Sequence, residues 1–217
     1  MWKAVSEVNV KGEDMTLGVK LGKLDPPAPV VPATLEVKSV TAVNFGEIDV
    51  VFNNAINEDS VSKSKILING VALGTTDSAV VLEDGVTLRL TRPEPGFVTA
   101  QNVARRLSIS DVTSSVGSVV MTAVKDREVI FSDKTLPELL SVEAVGNKRV
   151  VLNFSEPIKN TIDARIFANY KIDDKFVVGT GTPTVSGRTI TIDLSAVLAA
   201  GTHKLTTASQ KFEDYAG

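Results

Sequence analysis

The segment Ser39–Ile56 recurs without a gap as Ser141–Ile158. Ser39, Val40, Ala42, Val43, Phe52 and Ile56 stand opposite Ser141, Val142, Ala144, Val145, Phe154 and Ile158, every pair separated by the same 102 positions. That spacing also carries Thr87-Leu88-Arg89-Leu90 onto Thr189-Ile190-Thr191-Ile192. Solenoid units recur every ~20–50 residues, so a repeat this long is a whole domain. The chain therefore uses one small module twice. Such an array points toward assembly, spacing or adhesion more than toward a single catalytic centre.

A length of 217 residues suits one large or two small domains. With 43% hydrophobic and 23% charged residues the chain can bury cores and is not of disordered composition. Aromatics are only 5%, so Val, Ile and Leu must fill those cores, and Val and Ile favour strands. A net charge of −3 argues against nucleic-acid binding, which needs a basic face; Arg105-Arg106 is too short a cluster to change that. The absence of cysteine removes disulfides, thiol nucleophiles and thiolate metal sites. No apolar run approaches the ~20 residues that span a bilayer. The start, Met1-Trp2-Lys3-Ala4-Val5-Ser6-Glu7, lacks the apolar stretch of a secretion signal. Either a cytosolic protein or an internal fragment fits, and the abrupt end at Asp214-Tyr215-Ala216-Gly217 favours the fragment.

Asp25–Ala33 holds four of the nine prolines and reads as a semi-rigid, extended linker. Before it, Val8-Asn9-Val10 and Leu17–Leu21 alternate with period two around Lys11-Gly12-Glu13-Asp14, the pattern of a hairpin. Residues 1–32 are thus an N-terminal hairpin-like segment plus linker, 33–134 a first module and 135–217 a second. In the first module strands are expected over Leu35–Ser39, Glu47–Phe52, Lys65–Ile68, Ala79–Leu82, Thr87–Thr91, Arg106–Ser110, Val119–Val124 and Glu128–Phe131. In the second they are expected over Glu138–Val142, Arg149–Phe154, Asn169–Ile172, Thr184–Val185, Thr189–Asp193 and Thr202–Thr206. Ile48, Val50 and Phe52, repeated as Val150, Leu152 and Phe154, form the inward face. Asn69-Gly70 and Asp84-Gly85 are turn signals. Single helical turns are expected at Thr161–Ile166 and Ser195–Leu198. Many short strands at this spacing indicate an all-β sandwich.

Val151-Leu152-Asn153-Phe154-Ser155-Glu156-Pro157-Ile158 resembles the hydrophobic-strand, Phe-Ser-Glu-Pro-hydrophobic signature of bacterial Ig-like domains in S-layer and other cell-surface proteins. Asp214-Tyr215-Ala216-Gly217 is similar to the closing Asp-x-Ala-Gly of that module, and Leu198–Thr202 to its leucine, two residues, Gly-Thr turn. The first module keeps Ile48–Phe52 but has Asn53-Asn54-Ala55 for Ser-Glu-Pro, and only a degenerate closing motif at Ser114-Ser115-Val116-Gly117. The resemblance covers residues 33–217. It implies two tandem Ig-like β-sandwich domains in an elongated arrangement, and a non-catalytic pair in a bacterial cell-surface lattice. The implied partners are copies of itself and neighbouring domains of the same chain, outside the cell or in its wall. An adhesin or carbohydrate-binding module, or the spacer domains of a secreted hydrolase, are the rival readings.

The chemistry along the chain is sparse. His203, the single histidine, is expected as an exposed strand residue more than as a base or ligand. No nucleophile elbow or phosphate loop occurs. Adjacent carboxylates occur at Glu58-Asp59, Asp173-Asp174 and Glu213-Asp214. Neighbours on a strand point to opposite faces and do not make the paired carboxyls of a glycosidase. No cofactor is required by this pattern. These acids are expected in solvated loops more than at a metal; calcium, which accepts loop oxygens and which the resemblance favours, is the lesser reading, with Asp173, Asp174, Glu213 and Asp214 as its candidates and no EF-hand spacing. Trp2, Phe97, Phe131, Phe167, Tyr170 and Phe176 share no common face and are expected as core or loop anchors. At the joint, Phe131–Glu138, Pro137 sets an extended entry to the second module while Asp133 and Lys134 are expected to be solvated.

Overall fold

The computed structural model describes residues 30–217. The expected hairpin, most of the proline-rich linker and Trp2 lie outside the described residues. Along the first half run β1 (Val37–Asn44), β2 (Glu47–Phe52), β3 (Ile66–Ile68), β4 (Val71–Ala72), β5 (Ser78–Val81), β6 (Thr87–Thr91), β7 (Val103–Ile109) and β8 (Val124–Phe131). They make two antiparallel sheets, β1-β2-β6-β5 and β4-β3-β7-β8. The alternation in β2 turns Ile48, Val50 and Phe52 inward, against Ile66, Ile68, Leu107, Ile109 and Phe131 of the facing sheet, and all eight are buried.

The second half contains β9 (Leu139–Val145), β10 (Arg149–Phe154), β11 (Tyr170–Ile172), β12 (Lys175–Phe176), β13 (Thr184–Ser186), β14 (Thr189–Asp193) and β15 (Leu205–Thr207). Its first sheet, β9-β10-β14-β13, copies β1-β2-β6-β5 down to the register. Ile48 faces Leu90 and Val50 faces Leu88; 102 positions on, Val150 faces Ile192 and Leu152 faces Ile190. Phe52 and Phe154 are both buried, as are Leu90 and Ile192. The protein is all-β, with one four-stranded sheet repeated in the same order and register, as the repeat led one to expect.

The differences have local causes. Asn69-Gly70 and Asp173-Asp174 all have positive φ, from 50° to 78°. They are two-residue hairpin turns, which creates the short strands β4 and β12 that hydrophobic patterning did not indicate. The expected strand at Val119–Val124 is instead a loop that reaches β8 only at Val124. Val119 and Ser114 bond each other there, and Met121 N–H goes to the carbonyl of Val112. Thr161–Ile166 does carry a 3₁₀ turn, Asp163–Arg165, which buries Ala164, whereas Ser195–Leu198 forms no helix.

One difference concerns the second sandwich alone. Its second sheet is β12-β11-β15, three strands, with no counterpart of β8 among the described residues. In the first sandwich β8 lies against β1, and Arg127 donates to the carbonyls of Val37 and Lys38. Leu140, Val142 and Val145 of β9 are exposed among the described residues, and the positions 102 after β8 fall beyond residue 217.

Candidate functional site: the junction between the two sandwiches

The connector after β8 is mostly exposed, at Ser132, Lys134, Thr135, Leu136 and Glu138, but it turns one side chain inward. Lys134 is exposed, but Asp133 is only 5% exposed, contrary to the expectation for this pair. The backbone N–H of Asp133 donates to Gln101 Oε1, and its Oδ1 accepts from both the backbone and the hydroxyl of Thr135. These bonds fold the carboxylate inward. It meets Glu156, from the Ser-Glu-Pro signature after β10, and Asp214, from the closing motif. One ligand oxygen from each lies within 4.8 Å of the others, and all three residues are buried. Asp214 Oδ1 accepts from the backbone of Ala216 and Gly217, 2.7 and 2.8 Å away. Asp133 Oδ2 and Glu156 Oε2 are buried with no hydrogen-bond partner among the described residues.

The charges are mutually unfavourable. Burial, then Asp133 and Asp214, push the Glu156 carboxyl up to about 7. Burial also raises Asp214, against the pull of its two backbone bonds.

The same closing motif crosses to the other sandwich. Tyr215 and Ala216 pack on the first core. A Cβ on Gly46 would lie 2.8 Å from the Tyr215 ring, so the bare backbone there admits the ring. Beside it, Arg188 on the turn before β14 donates through Nε to Glu47 Oε1 at 2.9 Å and through Nη2 to Oε2, and Nη1 reaches the Ser155 carbonyl. Glu47 is 2% exposed and also accepts from Asn44 Nδ2 at 2.7 Å. Asn160 N–H donates to Glu94 Oε2. Two clefts open at this joint. One of about 840 Å³ is lined by Asn44, Lys134, Thr135 and Glu156, and one of about 650 Å³ by Glu94, Asn160, Gly187 and Tyr215.

Of the four acidic candidates, only Asp214 belongs to the buried trio. Glu213 is exposed and pairs with Lys159 at 3.6 Å. Asp173 and Asp174 form the β11–β12 turn. Asp173 Oδ1 accepts from the Lys204 backbone, as Asn69 Oδ1 accepts from that of Arg106 in the first sandwich. Asp133 and Glu156 escaped the sequence reading as a site. Glu156 carried a signal, being the acid of the signature, but Asp133 carried none. Phe97, Phe131 and Tyr170 are core; Phe176 is exposed, with Lys171 Nζ 4.7 Å from its ring centre.

His203 precedes β15 and is partly buried, not an exposed strand residue. Nε2 lies 2.9 Å from the Ala199 carbonyl and Nδ1 2.7 Å from Asp173 Oδ2. Both partners accept, so the ring must donate twice, which only the imidazolium can do. The Ala199 carbonyl first, then Asp173, raise the His203 pKa above 6.5. With the folded value raised, this contribution to stability is present below the unfolded pKa and fades as pH rises through the folded one. An NMR titration of this single imidazole should give a midpoint above 6.5 that falls in Asp173→Asn. An unchanged midpoint would contradict the pairing.

Residues 133–217 match the family described as "Bacterial Ig-like domain". Over 87% of its length the chain is 30% identical to the Surface-layer 125 kDa protein of Lysinibacillus sphaericus, and over 89% it is 28% identical to the Outer cell wall protein of Brevibacillus brevis. It spans 15% and 19% of those two proteins. The crystal structure of the S-layer protein rSbsC(31-844) aligns with 80% of this chain and 32% of its own, at 14% identity and a TM-score of 0.41. Among the described residues no helix is long and apolar enough to cross a membrane.

Proposed function

Residues 133–217 being a bacterial Ig-like domain, we propose that the chain is a non-catalytic pair of such domains, 33–134 and 135–217, in the lattice of a bacterial cell surface. Its work is contact and spacing. The observation that carries this reading is the repeat itself, one sandwich used twice with the same sheet order and register. On the second copy β9 shows Leu140, Val142 and Val145 to solvent among the described residues. Exposed apolar side chains on an edge strand offer a neighbouring domain a surface to pack on. The relatives' names, one a surface-layer and one an outer cell wall protein, support the setting.

Light scattering over a concentration series, with electron microscopy of the products, tests the proposal. The chain should associate as its concentration rises, and Leu140→Glu with Val142→Glu should abolish association while leaving the melting curve in place. A chain that stays monomeric throughout, or associates equally well with both substitutions, would overturn it.

A further inference from the structure

We propose that the end of the first sandwich is a docking surface matched to one kind of partner, an Ig-like module with an arginine on its β13–β14 turn and a tyrosine in its closing motif, and that docking seals the first core so that the two sandwiches unfold as one unit. Two turns of the first sandwich build the surface. Phe45-Gly46 joins β1 to β2, and Pro93–Gly96 follows β6. The Arg92 N–H bonds the Gly46 carbonyl at 2.8 Å and the Phe97 N–H bonds the Phe45 carbonyl at 2.7 Å, which holds the turns side by side.

Each turn offers a glycine to the same ring. A Cβ on Gly46 would stand 2.8 Å from Tyr215 Cε2 and one on Gly96 3.2 Å from Tyr215 Cδ2. A side chain at the first place would collide with the ring, and one at the second would crowd it. Through this slot Tyr215 and Ala216 reach the buried cluster that holds Phe45, Ile48 and Phe97. Polar contacts flank the slot, from Arg188 to Glu47 on one side and from the Asn160 N–H to Glu94 Oε2, 2.9 Å, on the other. An aromatic anchor in a fitted slot, ringed by polar contacts, is the arrangement that concentrates recognition energy.

The repeat supplies an internal control at both ends. At the far end of the second sandwich Leu194 N–H bonds the Lys148 carbonyl, as Arg92 bonds Gly46, and Leu198 N–H bonds the Asn147 carbonyl, as Phe97 bonds Phe45. These bonds set Lys148 at the place of Gly46, Arg149 at that of Glu47 and Val197 at that of Gly96. Side chains stand there instead of a slot, and the acid gives way to a base that already pairs with Asp193 at 2.7 Å. At the opposite end of the first sandwich Phe52 N–H bonds the Val86 carbonyl, as Phe154 bonds Arg188, and Asn57 bonds Thr113, as Lys159 bonds Glu213. Val86 thus answers to Arg188 and Ser115 to Tyr215. The fold closes its ends without slot or anchor. Each occurs once among the described residues, and the two face each other.

The consequence is energetic. Part of the cover of the first core comes from the last residues of the second sandwich, so freeing the closing motif would open that core to water. Shared burial of this kind joins two modules into one cooperative unit, where a thin polar contact would leave them independent. The inference concerns contacts inside one chain. It is read on the monomer and stands apart from the surface role proposed above.

Hydrogen exchange at rising urea, read by mass spectrometry on peptides from β2 and β7 and from β10 and β14, tests it on the full chain at a dilution where light scattering finds a monomer. In the unaltered chain both sets of strands should lose protection at the same urea concentration. Tyr215→Ala should move β2 and β7 to lower urea by more than it moves β10 and β14, although the substitution lies in the second sandwich. Gly46→Ala should do the same, and adding Tyr215→Ala to it should have little further effect, because the excluded ring is already gone. Ser115→Ala, at the counterpart position, should leave both sets in place. Separate loss of protection in the unaltered chain refutes the seal, and so does a Tyr215→Ala shift no larger in β2 and β7 than in β10 and β14. If a variant does not fold, the unaltered chain still decides.

Discussion

Phe154→Ala should lower stability by about 3–5 kcal/mol, the largest effect expected of any single substitution in the second sandwich. The ring is 4% exposed and closes a small aromatic group, with Phe212 5.7 Å from Phe154 and 5.6 Å from Tyr170 between ring centres. Tyr170 is pinned in turn by its hydroxyl, which donates to the Ala164 carbonyl at 2.5 Å. These groups cannot easily collapse into the space that the ring leaves, so the cavity cost adds to the lost transfer energy. Urea denaturation of the two chains measures it. A loss under about 1 kcal/mol would mean that the ring is not core in solution. Phe52→Ala should cost a comparable amount in the first sandwich, because Phe52 holds the equivalent place and is 1% exposed.

Arg188→Ala should destabilise the chain by about 2–3 kcal/mol. Breaking a buried ion pair from one side costs about 3–5 kcal/mol, because the remaining charge is left buried. Here the Arg188 side chain is 29% exposed and Asn44 still bonds the carboxylate, so the smaller figure applies. Glu47→Gln in the same background should recover part of the loss, since a neutral amide needs no counter-charge. A double-mutant cycle would therefore be non-additive. Strict additivity would show that the two side chains do not act on each other. In the repeat, Arg188 stands where the first sandwich has Val86, so this pair belongs to the joint and not to the fold.

What the sequence determined by itself was the sandwich and its duplication. Inward residues alternate along β2 and β10, and a constant spacing relates the two sets. A strand's own side chains report which face is buried, and pairing opposite the wrong neighbour would turn every one of them to solvent. Register was therefore legible from Ile48, Val50, Phe52 and their counterparts. The short strands β4 and β12 were less so: they owe their existence to positive φ at Asn69-Gly70 and Asp173-Asp174, and the acidic pair does not advertise a turn as Asn-Gly does.

The joint was decided only by the tertiary structure. Asp133 lies in a polar connector that no periodicity describes, yet it is buried with Glu156 and Asp214. Glu47 and Arg188 meet although 141 positions separate them. Tyr215, in the closing motif of one sandwich, covers part of the core of the other. Local pattern records how a segment faces its own sheet. Burial at a joint depends on where a second surface arrives, which the packing of two whole sandwiches determines.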